Sequence, residues 1–140
     1  MNYEFSESSI KKMKGLHPKL ILFFCEALKI SKYDFGLTTG TRTSEEQNKL
    51  YQIGRTLPGK IITYCDGYKY KSRHQVTEEG IGKAGDIKIY INGKITWNPS
   101  HFLIFVNQKG IRNLMEKYNI EWGGDWKNFK DYPHFQVREW

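Results

Sequence analysis

The sequence predicts an α+β fold, a small antiparallel sheet with helices packed on one face and an open groove on the other. Three observations predict it. The segment Ala84–Ile91 alternates, with Ile87, Ile89 and Ile91 on one side and Asp86, Lys88 and Tyr90 on the other, which is the period of a half-buried strand. Asn92-Gly93 follows, a two-residue hairpin signal that brings 94–97 back antiparallel. The remaining extended pieces are short, and helical patterns stand apart from them, as in an antiparallel sheet covered on one side.

The elements follow in order. Residues 6–14 form a first helix, capped by Ser6 or Ser8. Pro18 opens a second, in which Leu20, Phe23, Phe24, Ala27 and Leu28 recur at helical spacing. Residues 35–39 are a strand closed by Gly40. Thr43 or Ser44 caps a third helix carrying Glu45, Glu46 and Gln47, which runs to Gly54. The stretch 56–71 is rich in Gly and Lys and irregular, apart from an extended piece at 61–64. A last long helix covers 101–118, and short strands follow at 120–122 and 134–137.

The chain has 140 residues, the size of one domain, 1–140, with no separate binding module. Hydrophobic residues at 39% can build a core, which excludes a disordered chain. A formal net charge of +7 favours a polyanionic partner: nucleic acid, anionic lipid and cell-wall polymer all qualify, and charge does not choose among them. The first seven residues lack a basic stretch followed by an apolar one, so no signal peptide is read and synthesis is expected in the cytoplasm. The longest apolar run, 20–25, is too short to span a bilayer. Cys25 and Cys65 make no metal-binding pair, and Cys25 reads as a small core residue.

The chemistry starts from strand faces. Asp86 lies opposite the Ile face of its strand, and His134 and Gln136 lie opposite Phe135 and Val137. The piece Ser72-Arg73-His74 puts Ser72 and His74 on one side as well. If the apolar faces all meet the helices, His74, Asp86 and His134 project together from the uncovered face. Two imidazoles and a carboxylate with a fourth position open make a catalytic zinc site. On pattern alone a histidine in a strand is more often a surface or hydrogen-bonded residue, and that reading stays open. Asp131 precedes His134 by three residues, on a turn that Pro133 keeps irregular. From there it is either a general base for a water beside the metal or a solvated loop carboxylate.

Ser72-Arg73-His74 followed by Gly82-Lys83-Ala84-Gly85-Asp86 resembles the S-x-H-x-x-G-x-A-x-D signature of the D-alanyl-D-alanine carboxypeptidase and dipeptidase zinc peptidases. Glu121-Trp122-Gly123-Gly124-Asp125-Trp126 and Asp131-Tyr132-Pro133-His134-Phe135 resemble the closing segment of that family's phage endolysin branch, the L-alanyl-D-glutamate endopeptidases. Gly40-Thr41-Arg42-Thr43 with Gln47, Leu50-Tyr51 and Gly54-Arg55-Thr56 is similar to the branch's first motif block, so the resemblance runs from about His17 to Val137. It implies one zinc ion held by His74, Asp86 and His134, Asp131 as acid/base, and Arg42 as the cation facing the oxyanion. It places Ser72 and Gln47 near the substrate. It also implies the hedgehog-like architecture with the zinc groove on the sheet's open face. One departure stands out: seven residues separate His74 from Gly82 where the signature has two. The extra segment, 75–81, reads as a loop insertion, in which Glu78 and Glu79 are poorer ligand candidates than Asp86.

The resemblance implies a monomeric phage endolysin that hydrolyses the L-Ala–D-Glu bond of peptidoglycan in host lysis. Such an enzyme reaches the wall only after another protein opens the membrane, with no stable membrane association of its own. A D,D-carboxypeptidase removing terminal D-Ala is the nearest alternative. A basic nuclease or nucleic-acid-binding protein is a more remote one, because no helix-turn-helix, zinc-finger spacing or paired basic-aromatic motif is present. His17 reads as structural, and His101 has no evident partner. Trp122 and Trp126 read equally as groove or core, and Asp125 as bonding backbone in a tight turn.

Overall fold

The computed structural model describes residues 3–76 and 81–138. Most of the expected 75–81 insertion, including Glu78 and Glu79, lies outside the described residues. The elements in chain order are α1 (Glu7–Met13), α2 (Pro18–Ile30), β1 (Asp34–Thr39), α3 (Ser44–Gln52), β2 (Ala84–Ile91), β3 (Lys94–Thr96), α4 (Pro99–Val106), α5 (Ile111–Lys117), β4 (Ile120–Trp122), a 3-10 turn (Gly123–Asp125) and β5 (His134–Val137).

All sheet pairings are antiparallel, in the order β1-β2-β5-β4. Strand β2 is the axis. One edge takes β1; the other takes β5 along Ala84, Gly85 and Asp86, then β3 along Ile89, Tyr90 and Ile91. The hairpin forms at Asn92-Gly93, both with positive φ, as a primed two-residue turn requires.

Period-two alternation sorts the two faces. Phe35, Leu37, Ile87, Ile89, Ile120, Trp122, Phe135 and Val137 are buried against Leu20, Phe23, Phe24, Ala27 and Leu28 of α2, with Phe102, Phe105 and Ile111 closing the cluster. Rings interlock across the layer, with Phe23 and Phe135 centroids 5.6 Å apart and Phe35 and Phe105 5.0 Å apart. Burying each such ring stabilises the fold by roughly 1.5–3 kcal/mol. Helix α3 contributes nothing to this cluster. Its buried residue is Gln47, and a capping box of Thr43 and Glu46 holds its start, which leaves it to serve the open face.

Two expected elements differ. The long helix over 101–118 is two helices: α4 begins at Pro99 under an Asn98 cap, and Gly110, at φ 93°, restarts the chain as α5. The break lets Phe105 and Ile111 both reach the core, which one straight helix would not allow at this spacing. Ser72-Arg73-His74 is a turn and not a strand, closed by a bond from the Gln75 amide to the Ser72 carbonyl. Cys25 is half-buried, outside the core.

Candidate active site

Strand register builds the site. Asp86 stands opposite His134 across the β2–β5 ladder, so their side chains meet on the open face. His134 Nδ1 lies 3.2 Å from Asp86 Oδ1. His74 arrives from its turn, held because the Arg42 amide donates to its carbonyl (2.7 Å) and its own amide donates to Ser72 Oγ (3.2 Å). Its Nε2 then stands 3.5 Å from the same Asp86 oxygen. One ligand atom from each of the three residues lies within 4.8 Å of the others.

The outer nitrogens say what the inner ones can do. His74 Nδ1 donates to the Gly40 carbonyl at 3.2 Å, and His134 Nε2 donates to Gln136 Oε1 at 2.8 Å. With those protons committed outward, a neutral imidazole turns a bare lone pair inward. Asp86 Oδ1 is accordingly buried with no hydrogen-bond donor. Two imidazole lone pairs and an orphaned carboxylate oxygen, converging with the rest of the cleft open, fit a divalent cation. Burial works against the Asp86 carboxylate, yet His134 and then His74 hold its carboxyl well below the usual range. Burial likewise opposes charge on His134, but Asp86 and Gln136 raise its pKa.

Asp131 sits at the edge of the ligand cluster. Its carboxylate is 3.8 Å from His134 Nδ1 and half exposed to the cleft. Burial first, and the Asp86 charge second, push its carboxyl above the usual range. The turn that carries it is pinned throughout. The Asp131 amide donates to Gly123 O (3.1 Å), the His134 amide to Asp131 O (3.2 Å), and Trp122 Nε1 to Tyr132 O (2.6 Å).

Arg42 enters from the loop between β1 and α3. Its Nη1 donates to Gln47 Oε1 at 2.7 Å, while the Gln47 amide nitrogen donates to Cys65 O (2.9 Å) and Thr63 Oγ1 (3.2 Å). Burial lowers the Arg42 pKa, and Asp86, Glu46 and Asp131 act against that shift. The guanidinium stays a cation in any case. Gln47 is 1% exposed and spends its amide inside the protein, so its evident work is to aim Arg42. Ser72, Arg42, Asp131 and Trp126 line a cleft of about 480 Å³ over the three ligands.

All seven residues singled out from sequence therefore gather in or just behind one cleft. Trp126 belongs to the cleft, its ring 5.2 Å from that of His134, and Trp122 belongs to the core. His17 caps α2 by accepting from the Lys19 amide, and His101 Nδ1 pairs with Thr96 Oγ1 at 2.7 Å. Asp125 pairs with Arg112 through a two-pronged ion pair instead of bonding backbone. Sequence reasoning missed the outer partners: the Gly40 carbonyl, the bond from His134 to Gln136, and Glu121. The alternation in 120–122 and 134–137 carried a signal for the last two, since both fall on the ligand face.

No helix among the described residues is long and apolar enough to cross a membrane. The chain is 36% identical over 146 residues to peptidoglycan L-alanyl-D-glutamate endopeptidase CwlK of Bacillus subtilis (strain 168), covering 94% of this chain and 81% of that protein. It is 26% identical over 140 residues to the L-alanyl-D-glutamate peptidase of Escherichia phage T5, covering 99% and 91%. The crystal structure of the L-Ala D-Glu endopeptidase ChiX of Serratia marcescens superposes with a TM-score of 0.73 at 25% identity, over 97% of this chain and 90% of that one. The family model for phage L-alanyl-D-glutamate peptidases matches residues 1–139. With that match spanning the sheet, the three converging ligands and the Asp131 turn alike, the chain belongs to the phage L-alanyl-D-glutamate peptidase family.

Proposed function

We propose that the protein is a zinc peptidase that hydrolyses the L-Ala–D-Glu bond of peptidoglycan stem peptides, with the whole chain acting as one catalytic domain. The observation that carries this reading is the convergence of His74, Asp86 and His134 beside the Asp131 carboxylate in a chain of this family. These three residues would hold the ion, and two nitrogens with one oxygen suit zinc. When bound, zinc supplies Lewis acidity and makes water ionisable near neutral pH.

The chain's own groups perform the proton work. Asp131 accepts a proton from the water that attacks the L-Ala carbonyl carbon. It returns that proton to the D-Glu nitrogen as the C–N bond breaks. Arg42, fixed by Gln47, meets the negative charge that gathers on the carbonyl oxygen. Ser72 lies at the cleft wall, where it supports the His74 turn and borders the substrate. The net charge of +7 supports retention on anionic wall polymer. The enzyme acts as a monomer on the wall once another protein has opened the host membrane.

The test is mass spectrometry of purified peptidoglycan incubated with the zinc-loaded protein and with a chelated control. New peptides beginning at D-Glu, dependent on zinc, are expected. Release of single D-Ala residues would move the assignment to a carboxypeptidase, and absence of any zinc-dependent product would overturn wall hydrolysis.

A further inference from the structure

The ligand face of the sheet continues beyond the ligands. Gln136 is two residues from His134 on β5, so it shares its face, and the β4–β5 register sets Glu121 directly opposite Gln136. The side chains form a line. His134 Nε2 donates to Gln136 Oε1 at 2.8 Å, and Gln136 Nε2 donates to Glu121 Oε2 at 2.7 Å. Gln136 is only 6% exposed, so water does not compete freely for its amide.

A glutamine amide fits its pocket in two orientations, and geometry alone does not choose between them. A carboxylate does. Glu121 only accepts, so the NH₂ of Gln136 must face it and the carbonyl must face His134. His134 Nε2 must then carry the ring proton, which leaves Nδ1 as the lone pair directed at Asp86 and the metal position. We propose that Glu121 is a positioning residue for the metal centre: through the Gln136 amide it fixes the tautomer of His134 and so makes Nδ1 a ligand. This role presupposes the zinc reading of the site. Glu121 touches neither substrate nor metal, and acts by the direction of one hydrogen-bond chain.

Glu121→Gln keeps the shape and removes the direction. Two amides face each other, Gln136 is no longer held one way, and in the reversed orientation its NH₂ drives the proton to Nδ1. Zinc affinity, measured by competition with a chelating indicator, is expected to fall roughly 10–100-fold. The double variant E121Q/Q136E restores the direction, because residue 121 now donates to a carboxylate at 136 that still accepts from His134. Affinity is expected to return to within a few-fold of the original. Circular dichroism melts on the same samples confirm that each variant is folded. Long-range proton–nitrogen NMR correlations read the tautomer itself, and the chain's four histidines keep the spectrum assignable. The proton of His134 is expected on Nε2 in the original chain, with a mixed pattern in E121Q.

Unchanged zinc affinity in E121Q, or a folded double variant that stays weak, would overturn the role. A chain that binds no zinc would instead sink the metal reading, and the histidine spectra would still decide the tautomer.

Discussion

Asp131 is held by two backbone bonds, from its amide to Gly123 and from the His134 amide to its carbonyl, and its carboxylate is half exposed over the ligand cluster. General acid–base catalysis is worth about 10²–10⁴ in rate. Asp131→Asn should therefore lose that much kcat while zinc content, measured by metal analysis, stays at one per chain. His134→Ala should lose both metal and cleavage. Arg42 makes a separable prediction. Arg42→Ala should lower kcat by about 10²–10³ through the missing oxyanion partner. Gln47→Leu should give a smaller loss of the same kind, because the guanidinium remains but is no longer aimed. Steady-state kinetics on a soluble stem peptide separates the two. At this scale the sequence was most informative where alternation applied. Asp86, His134 and Gln136 could be put on one face from period two alone. Gln47 could not be told from a substrate contact, because its partners Thr63 and Cys65 come from a segment with no periodic pattern.

Among the elements, β5 carries the most, since its few residues pair with β2 for the ligands and with β4 for their support. The 3-10 turn after β4 presses against the Asp131 turn so closely that a Cβ on Gly123 would lie 2.2 Å from the Asp131 carbonyl oxygen. Gly123→Ala should cost about 1–3 kcal/mol of stability through overpacking. It should also lower kcat more than zinc affinity, because it displaces the base and not the ligands; thermal melts, kinetics and chelator competition together check it. Strands and most helix starts were legible from alternation, caps and Pro18. The break at Gly110 was not, because helical spacing holds within each side, Phe102, Phe105 and Val106 and then Ile111 and Met115, and masks the change of phase between them. The turn at Ser72-Arg73-His74 was not legible either: its shape is set by Gln75, whose side chain bonds Ser72 N, Ser44 Oγ and Gly67 O, and the last two partners lie outside the turn's own segment.

At the scale of the whole molecule, a metal held by the three ligands would tie the turn of His74 to the paired strands β2 and β5. Chelation should lower the melting temperature, and the drop should shrink as free zinc falls toward its dissociation constant. The pH dependence has a definite sign. Without metal, the depressed Asp86 carboxyl stabilises the fold above the ordinary carboxylate pKa of about 4, and that contribution fades as pH falls through its folded value. The raised His134 pKa contributes below the ordinary imidazole value of about 6.5 and is lost as pH rises through its folded value. The metal-free protein should therefore be steadiest in mild acid. Zinc competes with the same protons, so its stabilising effect should grow from pH 5 to 7.5, read as the melting-temperature difference with and without metal.

The stretch between His74 and Asp86 is fastened at both of its roots. Arg42 grips the His74 carbonyl; on the far side Gly82 bonds Gly15 and His17, and the Lys83 amide reaches back to the Arg73 carbonyl at 3.0 Å. The two ends of the segment between Gln75 and Gly82 are thus each held by the fold, and lengthening a chain between fixed ends costs only about 0.6 kcal/mol per doubling. For a protein engineer those two anchors mark a docking port: a peptide tag or a small wall-binding module spliced between Gln75 and Gly82 enters and leaves through backbone that the fold already holds.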